Sequence, residues 1–196
     1  MKYNLTELNR IIRNRRMVKP EFFSGEPIEE ELIFKLLENA RWAPTHGLTQ
    51  PWRFTVYSGD GLVHLAESQA RIYKAVTSSE KFNPKKFEKL KARPLMASAV
   101  IAICMKRQES GKIPSVEEAA SVACAVQNMC LTATAMGIAS YWSSGGVTYT
   151  KELKDFLGLG EKDKCFGFLY LGKTVLDISD TGRNPVDNFT TFVRKS

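Results

Sequence analysis

The longest helix that the sequence predicts limits the fold more than any other feature. Residues 115–135 contain no proline or glycine, and Ser115 with Glu118 forms the S-x-x-E pattern of a capping box. Gly137 follows, where the end of a helix favours glycine. Such a helix spans about 30 Å, and its side chains are small or apolar on nearly every face. We therefore expect a helix buried on several sides, with packing against a second subunit as an open alternative.

The remaining elements alternate irregularly along the chain. Helical spacing and stop signals predict helices over 5–12, from Pro27 to near Ala43, over 62–75 and over 151–157. Alternating or continuous apolar runs predict strands over 52–57, 97–105, 139–143 and 165–171. The run 97–105 is apolar on both faces, as a central strand would be. The pattern indicates an α+β or α/β chain, a single domain over 1–196 with one sheet covered by helices.

Composition excludes several classes of protein. The 196 residues are 43% hydrophobic and 25% charged, as expected of a globular chain. No 18 uncharged apolar residues run together, and the first residues lack a signal-peptide pattern, so we expect a cytoplasmic protein without membrane contact. With two histidines and no C-x-x-C pair, a zinc or di-iron site is not expected. The four cysteines lie in apolar stretches, and we expect all four in the core.

The net charge of +7 admits two kinds of partner. Basic residues are densest from Lys81 to Pro94, where Glu88 and the prolines favour a solvated loop or a short helix. Nucleic acid and a phosphorylated cofactor both suit such a charge. The stretch itself is a weak nucleic-acid signal, so we expect a small-molecule partner and keep a basic nucleic-acid-binding protein as the alternative.

The chain lacks the common catalytic motifs, including the nucleophile elbow, the P-loop and the dinucleotide-binding glycine pattern. If it is an enzyme, a bound cofactor should supply the chemistry. Four segments suit such a cofactor: Arg13–Lys19, Trp42–Phe54, Ser140–Gly146 and Thr181–Pro185. Each also has a purely structural interpretation. The arginines, for example, would favour the dipole at a helix C-terminus as readily as they would bind phosphate.

Together and in this order, the four segments resemble the nitroreductase family of FMN-dependent enzymes. The likeness rests on the arginine pair that ends the first helix, the loop A-P-T-H-G-L-T-Q-P-W-R-F from Ala43, the alanine-rich helix that ends in M-G, the W-S-S-G loop and the strand G-F-L-Y-L-G. It covers essentially the whole chain. The histidine in the loop is most like the compact bacterial members of the family.

The resemblance implies a set of cofactor-binding residues. Arg15, Arg16 and Met17 match the segment that the family uses on the FMN phosphate and ribityl chain, with Met17 standing where serine is common. Trp42 and His46 match positions that reach the flavin from the partner subunit. Trp142, Ser143 and Ser144 match the segment along the isoalloxazine ring, and Arg183 matches a C-terminal basic residue that meets the phosphate. Residues 132–137 match a region assigned to the nicotinamide nucleotide.

The resemblance also implies a fold and a reaction. The fold is a mostly antiparallel central sheet covered by helices, in an intertwined homodimer with FMN at the subunit interface. NADPH or NADH would donate hydride to the flavin, and a nitroaromatic, a quinone or a similar flat acceptor would then accept electrons in a ping-pong scheme. No residue of the protein is expected to act as an acid or base. A flavin-binding storage or sensor protein of the same fold is a further alternative.

Overall fold

The computed structural model describes residues 3–176 and 182–194, so Thr181 of the Thr181–Pro185 segment lies outside the described residues. Six α-helices lie within these ranges: α1 (Leu5–Asn14), α2 (Glu30–Ala40), α3 (Asp60–Val76), α4 (Pro84–Ala92), α5 (Ser115–Ala135) and α6 (Lys151–Phe156). Four strands form one sheet: β1 (Trp52–Ser58), β2 (Ala99–Met105), β3 (Ala139–Ser143) and β4 (Lys164–Gly172).

The sheet has the order β1-β2-β4-β3, and all three of its strand pairs are antiparallel. Every residue of β2 is buried, which confirms the prediction of a central strand for this apolar run. β1 and β3 lie at the two edges. The expected fold, a mostly antiparallel sheet covered by helices, is confirmed.

Alternating side chains of the sheet build one core on each face. Ile101, Ile103 and Met105 of β2 pack with α2 and α5. Val100, Ala102 and Cys104 point to the other face and pack with α3 and α6. The two cores explain why β2 is apolar without interruption, since both of its faces are covered.

The long helix α5 has the predicted bounds but not the predicted N-terminus or surroundings. Pro114 occupies the N-cap position without a side-chain cap, so the expected capping box of Ser115 and Glu118 is wrong. Glu118 is buried and bonded to the Arg107 guanidinium and the backbone N–H of Gln108. Its carboxylate is thus drawn to the loop after β2 rather than back to its own helix end.

Burial of α5 on several sides is also wrong for a single chain. One face, including Val122, Ala125 and Met129, is packed on the sheet. The opposite face leaves Val116, Ala120, Ala123, Cys124 and Gln127 exposed. These five residues follow the i, i+4, i+7, i+8, i+11 spacing of one helix face, and we call them the open face of α5.

Helix α2 is shorter than expected at both ends. It begins at Glu30 rather than Pro27, because Ile28 enters the core from extended backbone ahead of the helix. It ends at Ala40. The N–H groups of Trp42 and Ala43 then donate to the carbonyls three residues earlier, which forms a tighter turn of the 3₁₀ type. Lys81–Pro94, expected as a loop or short helix, contains the short helix α4.

Three cysteines are buried as expected, namely Cys104, Cys130 and Cys165. The expectation is wrong for Cys124, which is exposed on the open face of α5. Within the described ranges, every helix falls short of the length or apolar character that crossing a membrane requires.

Candidate functional site

The segment after α1 lies directly against edge strand β3. Met17 forms a parallel bridge with Ser140, and the Val18 N–H donates to the Ser140 carbonyl at 3.0 Å. Backbone groups alternate in direction along an extended segment, so the N–H of Met17 itself points away from β3. The arginine segment therefore pairs with β3 at Ser140, two residues before Trp142, and the Met17 N–H is directed away from the sheet.

The two arginines of this segment have different surroundings. Arg16 is half-buried, and its Nη1 donates to the carbonyls of Arg13 and Arg15, the latter at 2.9 Å. These bonds satisfy carbonyl groups at the end of α1, as the structural interpretation expects. Arg15 is also half-buried, but none of the described residues gives its guanidinium a hydrogen bond or an ion pair. It lies near the Cys130 thiol, beside Ser140.

Trp142 is held on the sheet face that carries α5. Its indole N–H donates to the Phe166 carbonyl of β4 at 2.9 Å, and its ring packs at the border of the core. Ser143 ends β3, and Ser144 is exposed in the loop that follows. The three residues therefore form the rim of β3, immediately beyond the bridge to Met17.

Two glycines allow the loop after β3 to pack closely. Gly167 of β4 has φ +102°, and a Cβ there would lie 2.2 Å from the carbonyl oxygen of Ser143. Gly146 has φ +74°, and a Cβ there would lie 2.7 Å from Leu90 of α4. Both positions require the left-handed region and a missing side chain. The glycines of the W-S-S-G-G and G-F-L-Y-L-G segments thus serve the approach of β4 and α4 to this loop.

Trp42 and His46 lie at the other edge of the sheet. Their loop joins α2 to edge strand β1. Trp42 is 76% exposed, with the Arg41 guanidinium 5.4 Å from its ring centre. His46 Nδ1 is 2.5 Å from a carboxylate oxygen of Glu117, near the start of α5. Both side chains are largely open to solvent in a single chain.

The structure thus brings some of the expected site residues together and keeps others apart. Arg15, Arg16 and Met17 adjoin the β3 rim that carries Trp142, Ser143 and Ser144. The loop with Trp42 and His46 leads into β1, three strand spacings from β3, or about 14 Å. One chain therefore presents two separate parts of the expected site.

The C-terminal part of the expected site stands apart from both. Arg183 is exposed, and its Nη1 donates to the Gly182 carbonyl at 2.7 Å. The described residues after it are exposed as well, including the apolar Phe189 and Phe192.

Residues 132–137, which the resemblance relates to the nicotinamide nucleotide, end α5 and enter the turn before β3. Thr132 accepts a hydrogen bond from Asn39 at 2.9 Å and donates to the Asn128 carbonyl at 2.8 Å. With Leu8 and Ile11 of α1, this segment borders a groove of about 450 Å³. The structure therefore places it between α1 and α2.

Sequence reasoning did not find a polar cluster on the opposite face of β3. The Arg93 guanidinium donates to Glu21 at 2.7 Å and lies 5.3 Å from the ring centre of Tyr141. Burial raises the pKa of the neighbouring Tyr170 to about 12. Partial burial would raise the pKa of Glu21, but the hydrogen bond and charge of Arg93 outweigh it and lower the pKa. These residues are distant in sequence, so no local motif could reveal them.

Comparisons with known proteins identify the family of the chain. The family model described as the nitroreductase family matches residues 12–173. The protein YdjA of Escherichia coli strain K12, which carries the name of an NAD(P)H nitroreductase, is 32% identical over 149 residues, covering 76% of this chain and 79% of that protein.

Solved structures share the fold over the whole chain. A nitroreductase-like family protein from Bacillus cereus superimposes with a TM-score of 0.85 at 26% identity, covering 100% of both chains. The FMN-dependent nitroreductase NfnB from Mycobacterium smegmatis, solved in complex with NADPH, gives a TM-score of 0.74 at 21% identity, covering 97% of this chain and 100% of that one. By its sequence match and its fold, the chain belongs to the nitroreductase family.

Proposed function

We propose that this protein is an FMN-dependent oxidoreductase that transfers hydride from NAD(P)H to a small flat acceptor. The observation that carries the proposal is the attachment of the arginine segment to β3 at Ser140, next to the rim of Trp142, Ser143 and Ser144. Family membership supports the same cofactor, and the names of YdjA and NfnB refer to NAD(P)H, FMN and NADPH.

The residues present fit a phosphorylated flavin. The half-buried Arg15 offers a guanidinium without a described partner, a geometry suited to bidentate phosphate binding. Arg16 adds positive charge beside it, and Arg183 would join them from the C-terminal segment. Met17 has no hydroxyl group, so its contribution to the ribityl chain would be the backbone N–H that points away from β3.

The protein would position the reactants rather than exchange protons with them. When bound, FMN would supply the hydride chemistry, taking two electrons from NAD(P)H and giving them to the acceptor in a ping-pong sequence. Trp142 would support one side of the ring, because its indole is fixed to the Phe166 carbonyl. Nearby arginines would favour a cofactor that becomes more negative on reduction. Nitroaromatics and quinones are acceptors of suitable shape.

We further propose that the complete site forms between two copies of the chain. Trp42 and His46 lie at the sheet edge opposite Arg15 in one chain, so the partner would have to supply them. The open face of α5 has the small residues Ala120, Ala123 and Cys124 at its centre, where helices of two copies could pack closely.

The first experiment is the absorbance spectrum and flavin content of the purified protein. Wild-type protein is expected to carry FMN, and Arg15→Ala is expected to lose most of it because the phosphate loses its principal cation. Arg10→Ala is the matched control, since Arg10 is an exposed arginine of the preceding helix α1. Colourless wild-type protein that takes up no added FMN, or full flavin content in the combined Arg15→Ala, Arg16→Ala and Arg183→Ala variant, would refute the assignment.

The second experiment measures oxidation of NADPH and NADH by the flavin-loaded protein, first in air and then with menadione or nitrofurazone. Acceleration by the added acceptors, with parallel lines in double-reciprocal plots, is expected of a ping-pong enzyme. If none of these acceptors accelerates the oxidation of NADPH or NADH by the flavin-loaded protein, a storage or sensor role would be favoured instead.

A further inference from the structure

Two buried cysteines face each other across the centre of the sheet. Cys104 of β2 and Cys165 of β4 are direct register partners in an antiparallel pair. Both side chains belong to the core on the α3 and α6 face, with 2% and 4% of their surfaces exposed. Register partners have Cα atoms about 4.5–5.5 Å apart, which lies within the range of about 4.4–6.8 Å that disulfides require.

An irregularity of the sheet lies beside this pair. The register shifts between Ala102 and Cys104, so that Phe166 and Gly167 of β4 lie opposite Ile103 alone. Such a bulge leaves one residue unpaired and bends the strand. Here it brings the Gly167 N–H within 3.4 Å of the Cys165 sulfur. The cysteine pair therefore lies next to the one register shift recorded between β2 and β4 in the described residues.

The environment distinguishes the two sulfurs. The neighbouring Cys104 thiol and the Gly167 N–H lower the pKa of Cys165 despite its burial. The same interaction and burial raise the pKa of Cys104. Cys165 also borders a pocket of about 490 Å³, which basic residues such as Lys154 and Lys164 and the acidic Glu161 and Asp163 line. Cys165 lines this pocket and Cys104 does not, so a reagent in the pocket meets Cys165 first. We therefore assign Cys165 as the nucleophile and Cys104 as the resolving thiol.

We propose that Cys104 and Cys165 form a reversible dithiol–disulfide pair that reacts with small-molecule disulfides such as oxidised glutathione. The Cys165 thiolate attacks one sulfur of the reagent, forms a mixed disulfide and releases one reduced thiol. Cys104 loses its proton and attacks the Cys165 sulfur, which forms the protein disulfide and releases the second reduced thiol. The protein loses two electrons and two protons, and the reagent gains them.

The cysteine pair is connected to the rim of β3 through the residue that follows Cys165. Phe166, which follows Cys165, accepts the hydrogen bond of Trp142 through its carbonyl. A disulfide draws the Cys165 sulfur to about 2.05 Å from that of Cys104, away from the Gly167 N–H. The bulge that holds Trp142 would respond to this movement.

The test is disulfide mapping of the full-length protein as purified. The reduced protein is incubated with oxidised glutathione and then denatured in the presence of N-ethylmaleimide, which alkylates the remaining thiols. It is digested with trypsin without reductant. The expected product is peptide 92–106 linked to peptide 165–173, which dithiothreitol separates. Cys124 and Cys130 both lie in the tryptic peptide 113–151, so their modification is distinguished from that of Cys104 and Cys165 by peptide mass. Recovery of both target peptides as alkylated thiols, or their linkage only to peptide 113–151, would overturn the proposal.

Two variants test the assigned roles. Cys104→Ser should stop the reaction at a glutathione adduct on Cys165, because the resolving thiol is missing. Cys130→Ser, which removes another buried cysteine, should leave the linked peptides unchanged. A Cys104→Ser protein in which Cys165 stays unmodified would contradict the order of the two thiols. The mapping on wild-type protein stands even if a variant fails to fold, and it does not depend on bound flavin.

Discussion

At the scale of single residues, the site depends on positions whose importance comes from contacts that are remote in sequence. In the sequence Gly167 is one glycine of a strand, and only its close approach to the Ser143 carbonyl explains why a side chain does not fit there. Arg93 belongs to a basic stretch that composition connected with nucleic acid, yet its guanidinium is directed inward to Glu21 and Tyr141. In both cases the tertiary contact, and not the residue type, identifies the role.

Gly167→Ala should destabilise the protein strongly. The new Cβ would lie 2.2 Å from the Ser143 carbonyl oxygen at a φ of +102°, and strain of this kind costs roughly 2–4 kcal/mol. Urea unfolding followed by circular dichroism measures the loss. Gly25→Ala is the control, because Gly25 has φ +81° and no atom within 4 Å of the added Cβ. Equal losses in the two variants would contradict the close approach of β4 to the loop.

Glu21 should make folding stability depend on pH in acid. Because Arg93 lowers its pKa below the ordinary 4.5, the unfolded chain binds more protons, and stability rises with pH. The contribution is fully present above the unfolded pKa and is lost as the pH falls through the folded pKa. It should be under about 1 kcal/mol because the pair is partly solvated. Unfolding free energies from pH 7 to pH 3 should decline less in Glu21→Gln, and identical declines would contradict the prediction.

At the scale of elements, α5 has two faces with different tasks. One face covers the sheet, and the open face presents small residues to solvent. Helix α1 has no buried residue, although Leu5, Leu8 and Ile12 follow helical spacing. Apolar surface of this extent on a chain of ordinary composition is typical of an interaction surface. This exposed apolar surface supports the proposal that two copies of the chain pack together.

Ala123→Glu should convert the protein to a monomer and lower its flavin content. A carboxylate in the middle of the open face would be buried without a partner if two copies pack there. Size-exclusion chromatography with light scattering gives the mass, and absorbance gives the flavin per chain. Ala75→Glu is the matched control, an identical change at an exposed position of α3. A dimeric, fully loaded Ala123→Glu protein would exclude the open face as the interface.

At the scale of the whole molecule, the proposed site is divided between two sheet edges, and we infer that a second copy of the chain completes it. The arginine segment adjoins β3, whereas Trp42 and His46 precede β1. No movement of a side chain crosses the roughly 14 Å between these edges. In the proposed symmetric pair, the β1 loop of one copy would lie at the β3 rim of the other, and the symmetry would form two such sites.

Mixed dimers should therefore restore one site from two defective chains. Arg15→Ala and the double variant Trp42→Ala, His46→Ala should each bind flavin weakly as homodimers. In a heterodimer of the two, one site carries both defects and the other carries neither. Differently tagged chains that are co-expressed and doubly purified should hold one FMN per dimer. Heterodimers as depleted as the parents would show that both groups act within one chain.

Much of the architecture could be predicted because it is coded locally. The continuous apolar run gave β2, and small residues free of proline and glycine gave the full length of α5. The ends of α2 could not be read in this way, since core packing of Ile28 in extended backbone delayed its start. The capping box failed for a similar reason, because burial beside Arg107 offered Glu118 a stronger partner than its own helix end.

The sequence alone determined the family, through four short segments in a fixed order, and with it the sheet, the long helix and the candidate cofactor-binding residues. Only the tertiary structure decided how those residues are arranged. It joined Met17 to Ser140, bound Arg16 to the end of α1, and separated Trp42 and His46 from the β3 rim. It also paired Cys104 with Cys165 through the strand register. The physical reason is range: helix and strand patterns arise from neighbours along the chain, whereas register, burial and charge pairing depend on segments that meet only in the folded sheet.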